Sequence, residues 1–227
     1  MGLDYVVVRS KKRRKTLSLN LRKDGSIVIQ APWNMPKSEI DNFFYRKKDW
    51  VGRKIRESEE IQTGVSPKRF LPGEVFLFLG FSYPLMVDDR NNDGLPLLFS
   101  GHEFILNRNH LHRARVLFTE WYQEKAREYI EGKVYQYSRF LGLYPGRVRI
   151  GNAKSRWGSC SHNNYLTFTW RLIMAPGQVI DYVVIHELAH VKEKNHSKKF
   201  WDLLEKTIPD YRRRRLWLKE NGHLLTV

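Results

Sequence analysis

The chain has 227 residues, of which 41% are hydrophobic and 13% aromatic, a composition that excludes a disordered polypeptide and predicts a substantial core. Lysine and arginine outnumber aspartate and glutamate by 40 to 24, and the formal net charge of +16 favours polyanionic partners, nucleic acid among them. No apolar run approaches the roughly 18 residues of a membrane span, and the N-terminus does not resemble a signal peptide, so we expect a cytoplasmic protein.

The beginning of the chain predicts strands followed by one helix. A short strand is expected at 5–9. Alternating leucines, the turn sequence KDGS at 23–26 and the apolar residues that follow it predict a β-hairpin. Apolar residues at helical spacing, with lysine and arginine between them, then predict a basic amphipathic helix over 37–60.

More strands are expected before the middle of the chain. Glycine and prolines mark 63–72 as a connecting loop. Two apolar segments that flank Gly80 and Phe81 predict a second hairpin over 74–87, and 88–94 reads as a polar turn. One or two further strands are expected over 95–106. Residues 1–107 are therefore predicted to form a β-rich region with one helix.

The character of the sequence changes near His110. Apolar residues at helical spacing predict a long helix that ends near Gly142. Strands are expected at 147–150 and 165–172, and a further helix should open at Pro176. A short amphipathic helix and a basic one follow, so the fold class is α+β. We place the boundary between the two parts at 107/108, with 1–107 and 108–227 as separate regions or as one continuous domain.

The segment VVIHELAHVKEKNHSKKFW at 183–201 carries the groups that can do chemistry together. Its apolar residues predict a buried helix, on which His186 and His190 lie one above the other and can reach one metal ion. Glu187 lies about 100° around that helix, beside the open coordination position. An H-E-x-x-H motif in this context is typical of a hydrolytic zinc site.

A catalytic zinc ion needs three protein ligands and leaves its fourth position to water. We predict His196 as the third ligand and one Zn²⁺ per chain. The spacing matches the metzincin signature H-E-x-x-H-x-x-G-x-x-H, except that Glu193 stands at the glycine position. We expect Asn195 to supply the left-handed turn instead. The methionine turn of the metzincins is missing, because no methionine follows Met174.

The predicted reaction is hydrolysis of a peptide bond by a metal-bound water, with Glu187 as general base. Several residues are candidates for contacting the substrate, and all but Trp157 are also candidates for stabilising the oxyanion, together with His162. These substrate-contacting candidates are Arg156, Trp157, Tyr182 and Tyr211. The stretch 155–161 should line the cleft or brace the metal helix. The strand at 165–172 either presents an edge to an extended substrate or lies inside its sheet.

Two other classes of function stay open. The chain is a nucleic-acid-binding protein if its metal is structural, and His162 as a fourth protein ligand would favour that reading. Alternatively, it is a zinc hydrolase that acts on an amide bond outside proteins. The basic runs at 11–15 and 212–215 are the candidate nucleic-acid surface, although charge runs are usually solvated faces. The single cysteine, Cys160, excludes an internal disulfide and is expected to be a small, partly buried residue.

Several short motifs occur along nearly the whole chain. In the second half these are SRWGSCS at 155–161, WRL at 170–172, DYVVIHELAH at 181–190 and NHS at 195–197. In the first half they are RKTLS at 14–18 and PGE at 72–74. Together these motifs resemble the YgjP-like family of predicted zinc metallopeptidases. The resemblance implies a zincin-like catalytic half, with the H-E-x-x-H helix packed on a small sheet. It also implies kinship with the SprT-like proteases, which act on proteins attached to DNA.

Overall fold

The computed structural model describes residues 4–22, 26–64, 67–89 and 95–227. These residues form a mixed α and β fold with five α-helices and three sheets, which confirms the predicted class at that level. The chain divides into two compact units, Met1–Ser66 and Pro67–Val227. The boundary expected at 107/108 therefore falls inside the second unit.

The first unit holds a three-stranded sheet and one long helix. Its strands are β1 (Tyr5–Ser10), β2 (Ser18–Leu21) and β3 (Ile27–Pro32), and β3 is central, parallel to β1 and antiparallel to β2. The predicted hairpin is thus observed, while its turn at 23–25 lies outside the described residues. Helix α1 spans Lys37–Gly64.

A small apolar core holds this unit together. Ile27, Ile29 and Ala31 of β3 are buried, as expected of a central strand with neighbours on both edges. From α1, Ile40, Phe44 and Val51 pack into the same core, because residues four and seven apart share one helix face.

The second unit begins with a four-stranded sheet. Its strands are β4 (Val75–Phe78), β5 (Phe81–Asp88), β6 (Leu97–Phe99) and β7 (Phe104–Asn107), in the order β4-β5-β7-β6. The second predicted hairpin, β4 with β5, is observed. Most of the polar turn expected at 88–94 lies outside the described residues.

A long helix, α2 (Ala114–Leu141), covers this sheet after a short 3-10 helix. Its Phe118 ring stacks on Phe76 of β4 with the centroids 4.2 Å apart. The helix ends at Gly142, where a left-handed φ of 64° lets the backbone N–H of that residue donate to the Ser138 carbonyl. The predicted helix and its end are therefore confirmed.

The third sheet has the strands β8 (Arg147–Gly151), β9 (Gly158–Cys160) and β10 (Tyr165–Thr169) in the order β8-β10-β9. The strand expected over 165–172 ends earlier than predicted, because Trp170–Met174 forms a 3-10 helix. Three successive residues of that turn are almost completely buried, which a strand with alternating faces does not allow in a half-exposed sheet. Strand β10 is interior, so the edges of this sheet belong to β8 and β9.

Three helices complete the unit: α3 (Gly177–Lys192), α4 (Lys198–Thr207) and α5 (Tyr211–Asn221). The start of α3 is fixed by the β4–β5 turn, where the backbone N–H of Gly80 donates to the carbonyl of Met174 over 3.1 Å. Within the described part of the chain, no helix combines the length and apolar character needed to cross a bilayer.

Replacing Gly80 by alanine should destabilise the second unit more than the same change at Gly73. Both glycines have left-handed φ angles, +85° and +80°, so both variants carry backbone strain of about 1 kcal/mol. Only at position 80 would the new Cβ approach a backbone atom, the Pro176 Cα, at 2.8 Å. We expect urea unfolding to show an additional loss of about 2 kcal/mol for Gly80→Ala. Equal losses would contradict the close packing of this turn.

Candidate metal centre and active site

Helix α3 holds two of the three histidines in a fixed position because most of its surface is buried. Val184, Leu188 and Ala189 are completely inaccessible to solvent, so the helix passes through the core of the second unit. His186 and His190, four residues apart, lie together on its remaining, half-buried side. His196 follows in the exposed segment between α3 and α4.

The structure brings the three predicted ligands together. One ring nitrogen from each of His186, His190 and His196 lies within 4.8 Å of the other two. The Nε2 atoms of His186 and His196 are 3.1 Å apart. Tetrahedral zinc with Zn–N distances of 2.0–2.1 Å places two ligand nitrogens about 3.3 Å apart. The geometry therefore fits a zinc ion bound by three imidazoles.

Second contacts orient two of the rings. Nδ1 of His190 lies 2.9 Å from the Glu193 carbonyl oxygen, and a carbonyl can only accept, so Nδ1 donates and Nε2 keeps a free lone pair. The His190 ring also stacks on Phe200, with centroids 4.6 Å apart. The His196 ring stacks on Trp201, at 5.5 Å and 24°. Helix α4 thus contributes one aromatic ring to the support of each of these two imidazoles.

The turn between the second and third histidines differs from the prediction. Glu193, at the metzincin glycine position, leaves α3 in an extended conformation with φ −113° and ψ 98°. Asn195 is not among the residues with positive φ, so the expectation of a left-handed asparagine is wrong. Its side chain instead accepts a hydrogen bond from the Ser197 N–H, just before α4 begins. Helix α3 therefore ends at an extended residue, with no left-handed residue at 193 or 195.

Burial favours the neutral form of two of these imidazoles, which is the form that binds a metal ion. The pKa of His186 is lowered to about 3, chiefly by burial and then by the neighbouring charges of His190 and His196. The pKa of the more exposed His196 is also lowered, with burial again the largest cause. His186 and His196 can therefore accept a cation without prior deprotonation.

Glu187 lies beside the cluster and is only 6% exposed. Burial raises the pKa of its carboxyl to about 7, and the positive charge of Arg156 opposes part of that rise. The carboxyl fits because residue 158 is glycine: a Cβ there would lie 2.7 Å from Oε1 of Glu187. Edge strand β9 therefore approaches the carboxyl as closely as a backbone can.

A pocket of about 340 Å³ adjoins His186 and Glu187. Three of the four predicted substrate-contacting residues line it, and the Tyr182 ring lies 5.7 Å from that of His186. The fourth, Tyr211, does not line it and instead stacks on Trp201. The lining residues are Arg156, Trp157, Gly158, Tyr182, Val183, His186, Glu187, Arg215, Leu218 and Lys219. His162, the candidate fourth ligand, is exposed and lies outside the histidine cluster.

Arg215 and Lys219 also line this pocket, although the sequence did not single them out. They lie four residues apart on α5, on the same face as the buried Tyr211 and Leu218. This helical spacing could have placed the two residues on one face of α5, but it could not show which part of the fold that face packs against. Two other arginines of the basic run differ: Arg212 pairs with Glu205 and Arg214 with Asp210.

The model of the YgjP-like metallopeptidase domain matches residues 15–221 of this chain. The chain belongs to the YgjP-like metallopeptidase family. The resemblance seen in the sequence is therefore confirmed, and with it a hydrolase whose family uses a metal ion. For this YgjP-like chain the histidine cluster is the group of described residues that can hold such an ion.

Two individual proteins match parts of this chain. The UTP pyrophosphatase of Escherichia coli (strain K12) is 42% identical over 50 residues, which are 20% of this chain and 30% of that protein. The chain thus matches less than a third of that relative's length. The second is the crystal structure of the metallopeptidase zymogen of Pyrococcus abyssi abylysin, which is 26% identical in sequence. The match covers 40% of this chain and 93% of the chain in that structure, with a TM-score of 0.36.

The buried carboxyl predicts a pH-dependent stability of the metal-free protein. The pKa of Glu187 is higher in the folded protein than in the unfolded chain, so the folded state favours the protonated form. Stability from this group is present at pH 4 and is lost as the pH rises through about 7. In EDTA, Glu187→Gln should therefore be more stable than the wild type by up to about 3 kcal/mol at pH 8, with that difference shrinking towards pH 4.

Urea unfolding at the two pH values measures this difference, and Glu220→Gln, at an exposed position, is the matched control. A Glu187→Gln difference that does not change with pH would contradict a raised carboxyl pKa.

Proposed function

We propose that this chain is a zinc-dependent metallopeptidase with His186, His190 and His196 as ligands and Glu187 as general base. The observation that carries the proposal is the cluster of three imidazoles, with a buried carboxyl one residue from the first. When bound, zinc supplies Lewis-acid activation of a water molecule and of the scissile carbonyl. A zincin-like arrangement of the helix and the sheet is part of the same proposal.

Glu187 performs the proton transfers in this reaction. Its carboxylate can take a proton from water and return it to the leaving amine. Gly158 lets β9 lie directly against this carboxyl, and β9 is an edge strand to which an extended peptide could pair. Tyr182 and Arg156, which line the pocket, are the candidates for stabilising the oxyanion.

Hydrolysis of a nucleoside triphosphate is the second candidate. One relative is named a UTP pyrophosphatase, and the pocket beside Glu187 carries the cations Arg156, Arg215 and Lys219, which suit phosphate groups. A purely structural metal site is disfavoured, because the cluster of described residues offers three ligands rather than a closed set of four.

Three variants test the proposal by zinc content and turnover. His196→Ala should lower zinc affinity by at least about 100-fold, since even changes behind a ligand cost 10–100-fold. Glu187→Gln should keep one zinc per chain and lose about 100-fold or more in kcat. His162→Ala, at an exposed histidine outside the cluster, is the matched control and should change neither.

Turnover is measured on a peptide library and on UTP in parallel, with zinc measured by elemental analysis. Peptide cleavage that depends on Glu187 supports the metallopeptidase, and UTP cleavage with the same dependence supports the second candidate. Full turnover by Glu187→Gln, or unchanged zinc binding by His196→Ala, would contradict the proposed site.

A further inference from the structure

The pocket beside the histidine cluster contains three positive side chains from two separate parts of the chain. Arg156 precedes β9, while Arg215 and Lys219 lie one helical turn apart on α5. All three line the same cavity of about 340 Å³, together with the carboxyl of Glu187. The second unit thus collects positive charge directly at its candidate reaction site.

None of these three cations has an acidic partner within 4.0 Å among the residues that the structure describes. Their neighbours on α5 are arranged differently. Arg212 lies 2.9 Å from Glu205, and Arg214 lies 3.0 Å from Asp210. The helix therefore neutralises part of its basic run locally and directs uncompensated charges into the pocket. Like charges that face one cavity repel each other until an anion enters it.

Arg215 is held in place by an aromatic ring that also contacts the histidine cluster. Its guanidinium lies over the Trp201 ring at 5.5 Å, and the same ring stacks on His196. Stacking on an aromatic ring fixes the plane of the guanidinium and leaves its N–H donors free at the edge. A planar guanidinium held in this way is suited to two parallel hydrogen bonds with a carboxylate or phosphate.

Apolar side chains form part of the remaining pocket lining. Trp157 and Val183 line it, with Leu218 of α5 between the two cations of that helix. Trp157 packs against Gly222, where an added Cβ would lie 2.6 Å from its ring. The three cations are exposed residues, so an anion can reach them from solvent.

We propose that this pocket is a subsite for an anionic group of the substrate, a carboxylate or a phosphate, with Arg215 as its main contact. The subsite rests on the proposed hydrolytic function, because it selects what reaches Glu187 and the histidine cluster. In a peptide, the group is the side chain of an aspartate or glutamate next to the scissile bond. In a nucleotide, it is a phosphate of the polyphosphate chain.

Arg213 provides a matched control for this inference. It lies two residues before Arg215 on the same helix. Both arginines are exposed and neither has an ion pair among the described residues, but Arg213 does not line the pocket. Arg213→Gln and Arg215→Gln therefore remove the same charge from the protein, and only the second removes it from the pocket. Arg156→Gln tests the opposite wall, without a stacking contact to disturb.

Binding of pyrophosphate to the zinc-loaded full chain is measured by titration calorimetry for the wild type and the three variants. We expect Arg215→Gln and Arg156→Gln to bind about 10-fold more weakly and Arg213→Gln to bind within about twofold of the wild type. Zinc content is measured for each variant, so that a loss of metal is not mistaken for a loss of the subsite. No binding by the wild type, or equal binding by all variants, would overturn the proposal.

Two substrate sets then identify the source of the anion. One is a pair of peptide libraries that differ only in glutamate or glutamine next to the cleaved bond, and the other is UTP. The wild type should prefer the glutamate library or cleave UTP, and Arg215→Gln should lose that preference about 10-fold, measured as the ratio of the two rates. A preference that survives in Arg215→Gln contradicts the subsite.

These measurements distinguish a failure of the anionic subsite from a failure of the hydrolytic function. If the pocket variants alter pyrophosphate binding but no substrate is turned over in a manner dependent on Glu187, the subsite stands and the hydrolytic function fails. If turnover depends on Glu187 but the pocket variants behave like Arg213→Gln, the hydrolytic function stands and the subsite fails.

Discussion

The burial of α3 is the constraint on which the candidate site depends. A helix that passes through the core with fully buried Val184 and Leu188 has little freedom to rotate, so it fixes the direction of every other side chain along its length. His186 and Glu187 are carried into the same dry environment, where the charged form of each is disfavoured. A neutral imidazole and a carboxyl that can exchange a proton near neutral pH are the two chemical states that hydrolysis with a bound metal requires.

The surrounding elements approach this helix as closely as their backbones permit. Gly80 contacts Pro176 at the start of α3, and Gly158 contacts Glu187 beside the histidine cluster. From the other side, α4 and α5 supply an aromatic column in which Tyr211 stacks on Trp201 and Trp201 on His196. The third histidine lies on an exposed segment, and this column gives it the rigidity that α3 gives to the other two. Function in this family member therefore depends on packing far beyond the H-E-x-x-H motif.

The sequence predicted what depends on local pattern. Periodicity gave the helices and most strands, and residue spacing gave the three histidines that the structure brings together. Strand β9 was not predicted, because three residues cannot show alternation. Asn195 was expected to be left-handed, but the chain leaves α3 through an extended Glu193 instead. Arg215 went unrecognised as a pocket residue because its role depends on which element α5 meets. A nucleic-acid partner for the basic surface stays a prediction, and two of its arginines, Arg212 and Arg214, are paired with carboxylates.

The central claim is that three imidazoles hold one zinc ion and leave one position for a light-atom ligand. X-ray absorption at the zinc edge of the purified full chain measures this directly. We expect one zinc per chain, with three imidazole nitrogens and one oxygen each at about 2.0 Å from the metal. A sulfur neighbour, which Cys160 beside Glu187 would have to provide, or a fourth imidazole would contradict it.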